Sequence, residues 1–107
     1  MNLPKVILDL VKTQNNFDSV AYANCFSETA VVFDEGKTHN GKKEIANWIE
    51  DANERYKPTI QLINFEENEM GSLLKVETSG NFEGSPIVLN YQMEIGDGLI
   101  KSLKITG

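Results

Sequence analysis

The sequence predicts an α+β fold in which three N-terminal helices pack on a strongly curved, mostly antiparallel sheet and close a cone around a central pocket. Two observations carry this reading. Apolar residues recur at helical spacing up to Pro58 and at a spacing of mostly two beyond it. The 107 residues hold one core's worth of chain, so helices and sheet share it as a single domain spanning residues 1–107.

Each element follows in order. Leu3–Thr13 has Pro4 at its start, where a missing N–H costs nothing, and Val6, Ile7, Leu10 and Val11 on one stripe. Phe17–Phe26 reads as a second helix with Phe17, Val20, Ala21 and Cys25 inward. Ala30–Asp34 is β-branched and aromatic, a short strand, followed by a polar connection over Gly36–Asn40. Asn40 is placed to cap a third helix, Gly41–Tyr56, whose Ile45, Trp48, Ile49, Ala52 and Tyr56 share one face. Asp51 and Arg55 form an i,i+4 pair on its side.

Four strands follow: Thr59–Glu66, Leu73–Gly80, Ile87–Ile95 and Leu99–Thr106. In the third, Ile87, Leu89, Tyr91, Met93 and Ile95 alternate with Val88, Asn90, Gln92 and Glu94. Gly96-Asp97-Gly98 is a tight hairpin turn, and Gly80–Pro86 reads as a kink or bulge between the second and third of these strands that bends the sheet. Apolar residues fall on both faces of some strands, as with Ile60 and Leu62 against Ile63 and Phe65. The face away from the helices then needs a cover, and a second copy of the chain would supply it, so a homodimer through the sheet is expected.

Composition narrows function without naming it. Sixteen acidic residues against ten basic ones give a net charge of −6, which disfavours nucleic acid as a partner. One cysteine and one histidine make no metal-ligand cluster and no intrachain disulfide. Asp9 interrupts the short apolar run at the N-terminus, and neither a cleavage site nor a membrane-spanning stretch follows. The expected location is the cytoplasm.

The residues also resemble the nuclear transport factor 2-like superfamily, in particular its small SnoaL-like, polyketide-cyclase-type members. The resemblance covers nearly the whole chain. It is carried by Cys25-Phe26-Ser27-Glu28-Thr29-Ala30-Val31-Val32, Asp34-Glu35-Gly36, Gly41 with Glu44-Ile45-Ala46-Asn47-Trp48, and Gly80-Asn81-Phe82-Glu83-Gly84-Ser85-Pro86 running into Leu89-Asn90-Tyr91-Gln92-Met93. It implies relatives as different as isomerases, dehydratases, epoxide hydrolases, cyclases and non-catalytic modules, and it too favours a dimer through the sheet. In isomerase-type relatives a general-base Asp ends the strand after the second helix, and Asp34 matches that place. Their oxyanion-stabilising Tyr on the first helix has no match, and Tyr91 stands approximately where they carry a second acid.

Each candidate residue has a functional and a structural reading. Asp34, after the apolar Val31-Val32-Phe33, is either a base with a raised pKa at a pocket rim or the cap of the next turn. Tyr91 either donates to a ligand oxygen or is a core aromatic bonded to backbone. His39 either relays to Asp34 or is solvated. Phe17, Tyr22, Phe26, Trp48, Tyr56 and Met93 line either pocket or core, which in a cone are one surface. Cys25 reads as a buried, inert thiol.

The expected function is binding of a small, mostly apolar organic molecule, with no cofactor. If the chain is an enzyme, the matching reaction is cofactor-independent isomerisation, cyclisation or dehydration, with Asp34 as base and Tyr91 as donor. The alternative is a non-catalytic ligand-binding or dimerisation module.

Overall fold

The computed structural model describes residues 3–69 and 71–107. Its elements are α1 (Lys5–Asn15), α2 (Ser19–Ala23), β1 (Phe26–Asp34), β2 (Lys37–Asn40), α3 (Gly41–Tyr56), β3 (Thr59–Asn68), β4 (Gly71–Ser79), β5 (Ile87–Gly96) and β6 (Leu99–Thr106). The six strands form one sheet in the order β2-β1-β6-β5-β4-β3. Only β1 and β6 pair in parallel; every other neighbouring pair is antiparallel. The helices cover the concave face, and the core between them includes Ile7, Leu10, Phe26, Val32, Ile45, Leu74, Val76, Ile100 and Leu103, all essentially sealed from solvent. No helix among the described residues is long and apolar enough to cross a membrane.

Helix α1 buries Val6, Ile7, Leu10 and Gln14. Gln14 is polar, and its buried amide donates to Asn53 Oδ1 at 3.0 Å and to the Pro58 carbonyl at 2.9 Å. The neighbouring Asn15 accepts from the Ile60 N–H at 2.7 Å and donates to its carbonyl at 3.0 Å. It thereby imitates a strand partner on the free edge of β3 and pins α1 to it.

The second helix is shorter than its periodicity predicts. It starts at the Asp18 cap, which accepts from Ala21 N at 3.0 Å, and stops at Ala23. Phe17 sits in the turn before it, at φ 54° and 41% exposed, and Val20 faces solvent. Phe26 belongs to β1, because Cys25 already accepts a hydrogen bond from Ile100 N at 2.9 Å and Phe26 pairs with Ile100. Pairing with the last strand overrides local helical tendency here.

The connection expected at 36–40 is instead strand β2. Glu35 and Gly36 both hold positive φ, 52° and 75°, and join Asp34 to Lys37 as a two-residue hairpin. The Asn40 side chain makes no cap bond at α3; Asn40 N–H instead donates to Glu44 Oε1 at 2.8 Å. The Asp51–Arg55 pair forms at 3.1 Å.

Gly80–Pro86 lies between β4 and β5, where the sequence places it, and forms their connection. It is tied back to α3 by Asn81 N–H donating to the Tyr56 carbonyl at 2.7 Å. The irregularities that interrupt the ladders lie elsewhere, between Leu62 and Asn64, Glu94 and Ile95, and Phe26 and Val31. The one in β3 also corrects the two-faced reading of that strand. With Ile63 unpaired, Leu62 sits opposite Val76 and Phe65 opposite Leu74, so both turn to the concave face and Ile63 alone points out.

Candidate functional site

Strand parity builds the site. On β1, Ala30 and Val32 are buried, so Asp34 points to the concave side while Phe33 is exposed on the other. Phe33 pairs with Lys104, which sets Asp34 beside Ile105, and Ile105 pairs with Tyr91. Asp34 and Tyr91 are therefore two strand spacings apart on one row, about 10 Å along the sheet. The hairpin turns Lys37 toward Asp34 from the edge strand and sets His39 opposite Val32.

A half-open cavity of about 700 Å³ lies above this row. Asp34, Tyr91, Ile105 and Leu89 form its sheet side, and Trp48, Ile49, Ala52 and Tyr56 its helix side. Phe82, in the β4–β5 connection, packs edge-on against Tyr56 with ring centroids 6.2 Å apart and closes one flank. Glu35, Lys37, Asp51, Arg55 and Glu83 mark the rim.

Burial raises the Asp34 pKa above its ordinary 3.8, and the Glu35 charge adds to the rise. The Trp48 side chain, approaching as a hydrogen-bond donor, and the nearby His39 pull it back only in part. Burial also raises the Tyr91 phenol, with the Asp34 charge second, so the hydroxyl stays protonated and remains a donor at neutral pH. Below Tyr91, the Tyr22 phenol is fully buried and raised well above its usual value by burial first and then by Tyr91, Cys25 and Asp34.

Trp48 links these groups. Its ring stacks on His39 at 5.4 Å and 29° and meets Tyr22 at 6.2 Å. It thus stands between His39 and Tyr22 on the helix side of the cavity that Asp34 borders.

With this arrangement in view, the chain can be set against known folds. No protein-family model and no curated protein matches it. Among solved structures, a candidate polyketide cyclase from Sinorhizobium meliloti is 30% identical, with a TM-score of 0.91 over 97% of this chain and 95% of that one. The chain belongs to the nuclear transport factor 2-like, SnoaL-like superfamily. Two more distant structures share the fold alone. One is a Catenulispora acidiphila protein of ketosteroid isomerase-like fold, solved with trimethylamine (TM-score 0.87, 12% identity, 99% and 87% of the two chains). The other is an epoxide hydrolase from M. tuberculosis (0.78, 11%, 95% and 79%).

Within this nuclear transport factor 2-like fold, the residues singled out from sequence separate into two groups. Asp34, His39, Trp48, Tyr56 and Tyr91 meet at one cavity. Tyr22, Phe26 and Met93 lie in the sealed core beneath it and do not reach its wall, because the cone narrows there and side chains fill it. Phe17 is on the outside of the α1–α2 turn, away from the cavity. Several wall residues were not singled out from sequence, among them Gln14, Thr78 and Phe82. Phe82 had a signal, an aromatic in a Gly-rich connection; Gln14 and Thr78 had none beyond being polar on buried faces.

Proposed function

We propose that this cavity binds a small, mostly apolar organic molecule and that the chain carries out cofactor-independent proton transfer on it. The observation that carries the reading is a partly buried carboxylate of raised pKa sharing a cavity with a protonated phenol. Asp34 takes a proton from a carbon next to a ligand carbonyl, and the C–H electron pair moves into the enolate. Tyr91 donates a hydrogen bond to the enolate oxygen as charge develops there. Asp34 then returns the proton: to another carbon in an isomerisation, to the departing hydroxide, which leaves as water, in a dehydration, or to the alkoxide formed when the enolate carbon attacks a second carbonyl in a cyclisation.

The test is solvent deuterium uptake at the acidic C–H of 2-tetralone, followed by NMR. Wild-type protein accelerates the exchange, and Asp34→Asn loses that acceleration by about 10²-fold or more. Binding of the ketone without any acceleration removes catalysis and leaves the second reading, a ligand-binding module. The half-open rim favours that second reading, since Asp34 keeps part of its surface accessible.

We also propose a cytoplasmic homodimer joined through the convex sheet face. Phe33, Ile63 and Val88 are each 46% exposed on the strands, which supports a cover there.

A further inference from the structure

We infer that Thr78 is a second ligand contact, its hydroxyl meeting a polar group at the end of an elongated ligand remote from Asp34. This rests on the cavity being a ligand site, as proposed above. Thr78 lies on the inner face of β4 with Leu74 and Val76, is 6% exposed, and belongs to the cavity wall. Its strand neighbours are Ile60 on β3 and Ile87 on β5, both apolar and both wall residues.

Among the described residues, Thr78 Oγ1 and Tyr22 Oη are the buried side-chain polar atoms without a hydrogen-bond partner. Tyr22 lies beneath the floor, so Thr78 is the one that borders the hollow. Other buried polar groups here are held: Gln14 and Asn53 bond to each other, and Asn53 also donates to Ser19 Oγ at 3.3 Å. Valine would fill the volume of Thr78 and suit a strand equally well, without a desolvated hydroxyl. The local fold therefore gives no return for that oxygen. Rotation about χ1 exchanges hydroxyl and methyl, and it is by such a rotation that the oxygen would meet a ligand.

The sheet order fixes the ligand's shape. From β1 the strands run β6, β5, β4, and the row through Asp34, Ile105 and Tyr91 meets β4 at Leu74, so Thr78 lies three strand spacings across and four residues along from Asp34, about 20 Å over the sheet surface. Side chains on a concave face converge, so the tips stand closer than this. The geometry suits a molecule with a hydroxyl or carbonyl at each end and an apolar body between, resting on Leu89, Ile105 and Tyr56.

The probes are 4-phenylphenol, with a hydroxyl at one end, and 4,4′-dihydroxybiphenyl, with one at each. Binding is read from the fluorescence of Trp48, the only tryptophan and part of the wall. Wild-type protein binds the diol about fivefold more tightly than the mono-phenol, the effect of one additional hydrogen bond. Thr78→Val binds both equally and melts no lower than wild type, while Asp34→Asn keeps the preference for the diol. Equal affinities in wild type, a preference that survives in Thr78→Val, or a lower melting temperature for that variant would each overturn the inference. Failure of both probes to bind wild type would overturn the ligand-cavity reading and this contact with it.

Discussion

Asp34 carries a cost that only its charge explains. Its pKa is raised in the folded chain, so between the unfolded value near 3.8 and the folded value the native state holds more proton than the unfolded state. Stability therefore falls as pH rises through that window and stays lower above it. Asp34→Asn removes the charge but keeps the shape and an acceptor oxygen for Trp48. It should raise the melting temperature at pH 7 and flatten the pH dependence of melting above 4, while abolishing proton exchange. Wild-type activity should rise with pH along a limb whose midpoint lies above 3.8. Cys25 gives an independent test at the same scale. Burial first, with Asp9 adding to it, pushes its thiol up to about 11, so it should react with a thiol reagent far more slowly in the native protein than in denaturant.

Tyr91 was legible because the alternation of its strand assigns its face, whereas Asp34 was singled out by the apolar run before it and by the place it matches in the resembled family. The Trp48 approach to Asp34 was not legible, since it depends on how α3 sits across the sheet. Phe17 was misplaced for a local reason. Its left-handed backbone ends α1, a conformation disfavoured for a bulky side chain and supplied here by the turn before Asp18.

Among the elements, the β1–β2 hairpin is the one whose recognition changes the site. Read as a loop, residues 36–40 leave His39 without a direction; read as a strand, they set it opposite Val32 and over Trp48. The signal was present in Glu35-Gly36, but a glutamate in the first turn position is not the residue such hairpins prefer. Gly36 holds φ +75° with open space around it, so Gly36→Ala meets strain and no clash. The cost should be about 1 kcal/mol, seen as a lower denaturation midpoint with the fold retained. Asn15 makes the complementary point on the opposite edge. Asn15→Ala leaves both backbone groups of Ile60 without their partner, at about 1–3 kcal/mol. Hydrogen exchange at Ile60 should then rise more than at Leu74, which lies on a central strand.

For the whole molecule, the α+β architecture was legible from the change in apolar spacing near Pro58, because every element after it is a strand, while β1 and β2 lie before it among the helices. The convex face was not, because one unpaired residue, Ile63, reverses the parity of everything after it in β3. With Leu62 and Phe65 turned inward, the proposed dimer rests on Phe33, Ile63 and Val88. Phe33→Glu with Val88→Glu should yield a monomer by sedimentation and leave the melting curve of the isolated subunit nearly unchanged.

The last strand in the chain is a central one in the sheet, lying between β1 and β5. Until it is inserted, the pieces on either side of it share no ladder: a hairpin of β1 and β2 on the left, a meander of β3 to β5 on the right. Asp34 belongs to the first piece and Tyr91 to the second. Pairing of residues 99–106 with both pieces is what joins them, so any competence for chemistry arrives with the insertion of that one strand, not gradually along the sheet.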